Sequence, residues 1–307
     1  MTKDLLSIND LKDDLASVIS DSIRLKTESG PKKSSKKSSM SGKNVVLLFE
    51  KPSLRTKASF AVAVQQLGGN AVYMSPDEVQ IGKRESVSDV GKVLSRYFDV
   101  IVYRAFSHTT MVELAEAASA PVINALDDLE HPCQIVGDLM TIKEKKGDLK
   151  GLKLAYIGDG NNVCNSLLLG CAIVGMNISV ASPTNHKPSE EVSNKAKELT
   201  SKSGSNVDIL TNPFKAAENA DIIYTDVWVS MGQESEREEK EKVFLPYQIS
   251  EKTMSNAKPD AIFMHCLPAH RGLEVVPEVI DGPKSVIFDQ AENRLHAQKG
   301  MLLASLK

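Results

Sequence analysis

NVVLLFEKPSLRT, residues 44–56, changes its period halfway along. Val45, Val46, Leu47 and Leu48 form an unbroken apolar run, the pattern of a strand buried on both faces. Beyond Pro52 the spacing of Phe60, Val64 and Leu67 is helical, so a strand passes into a helix through FEKPSLRT (49–56). A helix start presents unpaired backbone N–H groups and the positive end of the dipole, which suits an anion such as phosphate. Ser53, Arg55 and Thr56 add hydroxyl and guanidinium donors there, and Pro52 both stops the strand and leads into the first turn. An ordinary helix cap beside a surface arginine fits the same residues, and the stretch alone leaves both readings open.

Outward from this stretch, strand and helix patterns alternate. On the C-terminal side come a strand at 70–74, a polar loop at 75–86, a helix with Val87, Val90, Val93, Leu94 and Tyr97 on one face, and a strand at 99–105. Arg104 falls at that strand's C-terminal end, where open α/β sheets place ligands. A helix at 111–119 and a strand at 121–126 follow, and then a long helix opened by His131 and Pro132 that ends near Gly147. A second alternation has strands at 152–158, 177–182, 207–212, 221–228, 261–266 and 285–290, with helices at 162–174, 189–204 and 213–220. Residues 229–242 read as a charged loop over a strand end, and 291–306 as a final helix. Toward the N-terminus, residues 4–25 suit one or two amphipathic helices, and the Lys- and Ser-rich run 26–43 reads as a solvated loop. The expected fold is α/β with two doubly wound domains, each a mainly parallel sheet flanked by helices. Their expected extents are 1–133, with 291–307 packing back on it, and 151–290, joined by an interdomain helix over 134–150.

The 307 residues suffice for two domains, and a net charge of −3 with 25% charged residues gives no reason to expect nucleic acid as a partner. No apolar run approaches the roughly 18–20 residues that span a bilayer, so no membrane partner is expected. The N-terminus MTKDLLSINDLKDD lacks both a signal-peptide core and a transit-peptide composition, which makes cytoplasm the expected location. Cys133, Cys164, Cys171 and Cys266 form no CxxC pair, so reduced thiols are expected.

GDGNNV (158–163) follows a strand but lacks the third glycine of a dinucleotide fingerprint, and the next strand ends in ValAlaSerPro without an acidic residue for a ribose. Nicotinamide is therefore disfavoured, while Asn161 and Asn162 still face a polar ligand. His131, Cys133, His265, Cys266 and His270 are metal-competent, yet His265 and Cys266 are adjacent and along a strand would point to opposite faces, so no metal is expected. Cys266 ends a strand and reads either as a buried structural thiol or as one exposed at a site. Asp226, at a strand end, is an ordinary loop carboxylate or the partner of a cationic group such as an α-ammonium.

Taken together these stretches resemble the ornithine carbamoyltransferases of the aspartate/ornithine carbamoyltransferase family. FEKPSLRT, HPCQ, GDGNN, DVWVSMGQE, HCLPAHRG and AENR occur in the family's order and at its spacing over nearly the whole chain. The resemblance implies transfer of the carbamoyl group from carbamoyl phosphate to the δ-amino group of L-ornithine, giving L-citrulline and phosphate, with no cofactor. It implies that the first domain binds carbamoyl phosphate and the second ornithine. Position for position, it implies phosphate contacts from Ser53, Arg55, Thr56 and the backbone of Leu54, with Arg104 reaching phosphate and carbonyl. His131, Gln134 and Arg294, with the backbone around Cys266 and Leu267, would meet the carbamoyl group, and Gln80 would serve a neighbouring subunit's site. Asn162, Asp226, Ser230 and Met231 would meet ornithine, with Cys266 near the reacting amine; Arg55, Arg104, His131 and Cys266 would be catalytic. A homotrimer or a multiple of trimers is also implied.

The chain departs from the family pattern at Leu54, where a hydroxyl residue is usual, and at Lys57, often Arg. Leu54 can donate only its backbone N–H. Aspartate as acceptor would need a cationic lining, whereas Asp226 favours a cationic substrate; putrescine keeps the amine but lacks the α-carboxylate. A non-catalytic phosphometabolite-binding protein on the same fold is the reading from another class.

Overall fold

The computed structural model describes residues 4–28, 39–229 and 234–307. The chain divides into two compact units: Met1–Met140 with Glu292–Lys307, and Thr141–Ala291. Each is a parallel sheet with helices, the arrangement that alternating strand and helix patterns require.

In the first unit the strands are β1 (Asn44–Phe49), β2 (Asn70–Met74), β3 (Val100–Arg104) and β4 (Val122–Leu126). Their order is β2-β1-β3-β4, all parallel. Val45 to Phe49 are buried, as the unbroken apolar run demands. The chain leaves β1 toward β2 on one side and returns as β3 on the other, so β1 and β3 flank the point where strand order reverses. Phe49 pairs in register with Arg104, which brings the end of β1 and Arg104 side by side at that point. Helix Val87–Tyr97 lays Val87, Val90 and Leu94 on a core shared with Ile101, Tyr103, Leu114 and Val122. The span 75–86, read from sequence as loop, contains a short helix Pro76–Val79 entered through Pro76 at its first turn.

In the second unit β5 (Lys153–Ile157), β6 (Asn177–Ala181), β7 (Val207–Leu210), β8 (Ile222–Thr225) and β9 (Ile262–His265) run in the order β7-β6-β5-β8-β9, again all parallel. Here the reversal lies between β5 and β8, so GDGNN after β5 and Asp226 after β8 meet at one crevice-forming edge. Two glycines shape that turn. Gly158 stands at φ +149, and a side chain at Gly160 would collide with the backbone of Lys187 and Pro188.

Two of the expected strands also differ from the sequence expectation. SVIFDQ (285–290) is not a strand: Ser285 makes a single bridge to Phe263, and from Ile287 the chain is already in the long helix Ile287–Ser305. Val286, Ile287 and Gln290 are buried while Phe288 is 72% exposed, a helical phase rather than an alternation. The strand expected over 221–228 stops at Thr225, which leaves Asp226 just beyond the sheet. Among the described residues no helix is long and apolar enough to cross a membrane.

Candidate active site

In the first unit, Ser53 caps helix Leu54–Gln66: its backbone is extended and its hydroxyl accepts from the Thr56 N–H at 3.4 Å. Thr56 is buried, and its hydroxyl accepts from Arg294 Nη2 at 2.7 Å, so the long C-terminal helix supplies a guanidinium to the same spot. Burial, then Arg294, then Arg55 bring the pKa of Arg104 down to about 10, which leaves it cationic at neutral pH. The Nε atoms of Arg55 and Arg104 are buried without a hydrogen-bond partner among the described residues. Cations crowded together with unused donors are the complement of a multiply charged anion.

His131 stands in this field. Its burial and the charges of Arg294, Arg104, Lys51 and Arg55 hold its pKa well below the usual imidazole value, so the ring is neutral at pH 7 and can donate one N–H. Lys51, which the sequence reading passed over, is 8% exposed with Nζ 5.2 Å from the Phe106 ring centroid. Burial and Arg104 lower its pKa to about 8, against the opposing pull of Asp127, Asp128 and Glu50. Its signal was its place, two residues before Ser53 in FEKPSLRT.

Gln134 donates Nε2 to Asp138 Oδ1 at 2.8 Å. A carboxylate only accepts, so the amide nitrogen faces Asp138, and Gln134 Oε1 is left buried without a partner among the described residues. Cys133 is structural: its thiol donates to Asn124 O at 3.2 Å, and burial pushes its pKa up to about 12. Gln80 is exposed, in the left-handed region at φ 37, and donates to Asp77 O.

In the second unit, Asp226 is 5% exposed and accepts three hydrogen bonds among the described residues. These come from Asn161 Nδ2 at 2.7 Å, the Val227 N–H at 2.8 Å and Cys266 Sγ at 2.9 Å. Asn161 also caps helix Asn162–Val174, accepting from Val163 and Cys164, so one side chain fixes both the helix start and the carboxylate. The half-buried Asn162 is the first residue of that helix. Ser230 and Met231 lie outside the described residues.

The expectation that His265 and Cys266 point apart is overturned. The strand ends at His265, Leu267 takes a left-handed φ of 60, and ligand atoms of Asp226, His265 and Cys266 all lie within 4.8 Å of one another. Each has a protein partner. His265 Nδ1 accepts from the Leu267 N–H at 2.9 Å and Nε2 lies 3.3 Å from Glu274, while Cys266 donates to Asp226. The cluster is thus a hydrogen-bond network that shapes the backbone of Leu267. Glu274 and the buried Lys240–Asp159 pair (2.8 Å), which props the GDGNN turn, carried no sequence signal.

One parallel α/β unit thus carries crowded cations that complement a multiply charged anion, and the other a buried carboxylate bonded to a thiol. Residues 3–144 match the carbamoyl-P binding domain of the aspartate/ornithine carbamoyltransferases, and residues 150–305 their Asp/Orn binding domain. The chain belongs to that family. It is 56% identical over 300 residues to the catabolic ornithine carbamoyltransferase of Thermoplasma volcanium, covering 98% of this chain and 97% of that one. Its fold matches the ornithine carbamoyltransferase of Pyrococcus furiosus with a TM-score of 0.95 at 45% identity, covering 98% of this chain and 96% of the other. The anabolic ornithine carbamoyltransferase of Campylobacter jejuni matches at 0.92 and 39% identity, over 99% of this chain and 100% of that one.

Proposed function

We propose that the chain transfers the carbamoyl group of carbamoyl phosphate to the δ-amino group of L-ornithine, giving L-citrulline and phosphate. The observation that carries this reading is the set of buried, unused guanidinium donors of Arg55 and Arg104 around the start of helix Leu54–Gln66. Ser53, Arg55, Thr56 and the Leu54 N–H hold the phosphate. Arg104, neutral His131 and Arg294 face the carbonyl oxygen, and Gln134 Oε1 accepts from the carbamoyl amide. Asp226 and Asn162 with Ser230 and Met231 hold ornithine, and Cys266, whose proton is turned to Asp226, presents its sulfur lone pairs to the δ-amine.

The amine lone pair attacks the carbamoyl carbon, negative charge builds on its oxygen, and the C–O bond to phosphorus' oxygen breaks so that phosphate leaves with the electron pair. The attacking nitrogen then gives up a proton to the departing phosphate, which leaves as the hydrogen phosphate dianion. Donors placed where that charge develops lower the barrier, and holding both substrates in attack geometry removes several kcal/mol more. Production of citrulline from ornithine, measured beside putrescine and aspartate, tests the reading. Ornithine should be the preferred acceptor and Arg55→Ala should abolish turnover; phosphate release indifferent to ornithine would overturn it. The same reading places Gln80 at a neighbouring subunit's site in a cytoplasmic homotrimer. Light scattering should then give about three times the 33.4 kDa of one chain.

A further inference from the structure

The loop leading into His131 is built around one carboxylate. Asp127 is fully buried, and its Oδ1 accepts the N–H groups of Leu129 (2.8 Å) and Glu130 (2.7 Å), the two residues before His131. Its Oδ2 accepts from Asn124 Nδ2 at 2.8 Å and faces His108 Nδ1 at 2.7 Å. Since a carboxylate only accepts, His108 Nδ1 carries a proton. His108 comes from a different element, the start of helix His108–Ala117, and its own N–H donates to Asp128 Oδ1 at 2.7 Å. The segment before it is bonded to its neighbours as well: Ala105 N donates to Leu126 O at 3.0 Å and Phe106 N to Glu50 Oε2 at 2.7 Å. His108 therefore ties the loop after β3, next to Arg104, to the loop after β4 that ends in His131.

We propose that His108 is a positioning residue for the carbamoyl end of the donor substrate, acting through Asp127 to set where His131 stands. The inference rests on the carbamoyl phosphate reading above. The side chain of His108 is 30% exposed and is bonded to Asp127, so its effect on the ligand runs through the loop. The groups that act on its ring are Asp127, Glu130 and Asp128; they favour its charged form, the bond to Asp127 most of all, against partial burial. Lys51 shares the field of Asp127 and Asp128. Below its raised pKa the ring is an imidazolium and the bond is charge-assisted; above it a neutral Nδ1–H still donates, more weakly.

The test uses the full chain and calorimetric titration with two probes, carbamoyl phosphate and inorganic phosphate, the second of which lacks the carbonyl that His131 would meet. His108→Ala should weaken carbamoyl phosphate about tenfold and phosphate less than about twofold, the gap expected for loss of one directed donor. His108→Gln keeps a neutral donor. Its affinity for carbamoyl phosphate should fall behind the wild-type value below the raised pKa of the ring, where the wild-type ring is charged, and approach it as pH rises through that pKa. Because each ratio is taken at one pH, titration of the ligand and of Lys51 cancels. Equal loss of both probes, loss of neither, or a Gln-to-wild-type ratio constant with pH would each overturn the proposal. A wild-type chain that binds carbamoyl phosphate but makes no citrulline would refute the transfer reaction and leave this comparison standing.

Discussion

Leu54 opens helix Leu54–Gln66 and is 82% exposed, so on the proposed reading it offers the phosphate one backbone N–H and no hydroxyl. A hydroxyl there would add a hydrogen bond to a charged oxygen, worth about 1–2 kcal/mol. Leu54→Thr should therefore lower the dissociation constant of carbamoyl phosphate by about fivefold or more; an unchanged or raised constant would mean that this position faces away from the phosphate. Lys51 offers the opposite case, a cation already in place. Its pKa near 8 means that it is charged below that value and loses its charge as pH rises through it. Lys51→Met should weaken carbamoyl phosphate binding by about tenfold at pH 7, and the deficit should shrink toward pH 9 as the wild-type ammonium itself is lost. A deficit that does not change with pH would assign Lys51 a packing role instead.

At the scale of elements, the helix Arg237–Phe244 is held to the GDGNN turn by Lys240 and Asp159, whose side chains are 5% and 12% exposed. His186 lies 3.7 Å from the same carboxylate and packs edge-on against Phe244. Burial raises the pKa of Asp159, opposed first by the Lys240 hydrogen bond, so removing Lys240 strands a buried carboxylate. Lys240→Met should cost about 3 kcal/mol in urea unfolding, and Lys240→Met combined with Asp159→Asn should recover part of it; additive losses in the pair would show that the two side chains are not coupled. Such a contact joins residues 81 apart, and neither has a local pattern to betray it. The same holds for His108 and Asp127. By contrast FEKPSLRT was legible because strand, turn and donors lie in one short run, and β1 because burial on both faces writes an uninterrupted apolar stretch. SVIFDQ misled for a related reason: a short apolar run does not distinguish a strand from the first turn of a buried helix. The helix prevails where Gln290 turns inward, accepting from the His265 N–H at 2.9 Å and donating to the Tyr224 hydroxyl.

For the molecule as a whole, the burial and crowded cations around His131 also set how stability follows pH. His131 is kept neutral by burial and by Arg294, Arg104, Lys51 and Arg55, and His296 is lowered to about 4 by burial, Lys299 and Lys26. Both rings lie in the unit Met1–Met140 with Glu292–Lys307. At about pH 5 the unfolded chain protonates both, near the ordinary value of about 6.5, while the folded chain does not. Their contribution is thus fully present above about pH 6.5 and is lost as pH falls toward their folded values. His108 runs the other way: its raised pKa adds stability that is complete below about pH 6.5 and fades as pH rises through the folded value. Two depressed rings against one raised ring leave a net loss on acidification. The urea stability of this unit should fall by about 2–4 kcal/mol between pH 7 and pH 5, and His296→Gln, which leaves the anion cradle intact, should remove roughly half of that slope. A stability that is flat or rises toward pH 5 would mean that the buried rings accept protons in the folded chain, and with that the neutral His131 assigned to the carbamoyl oxygen would have to be given up.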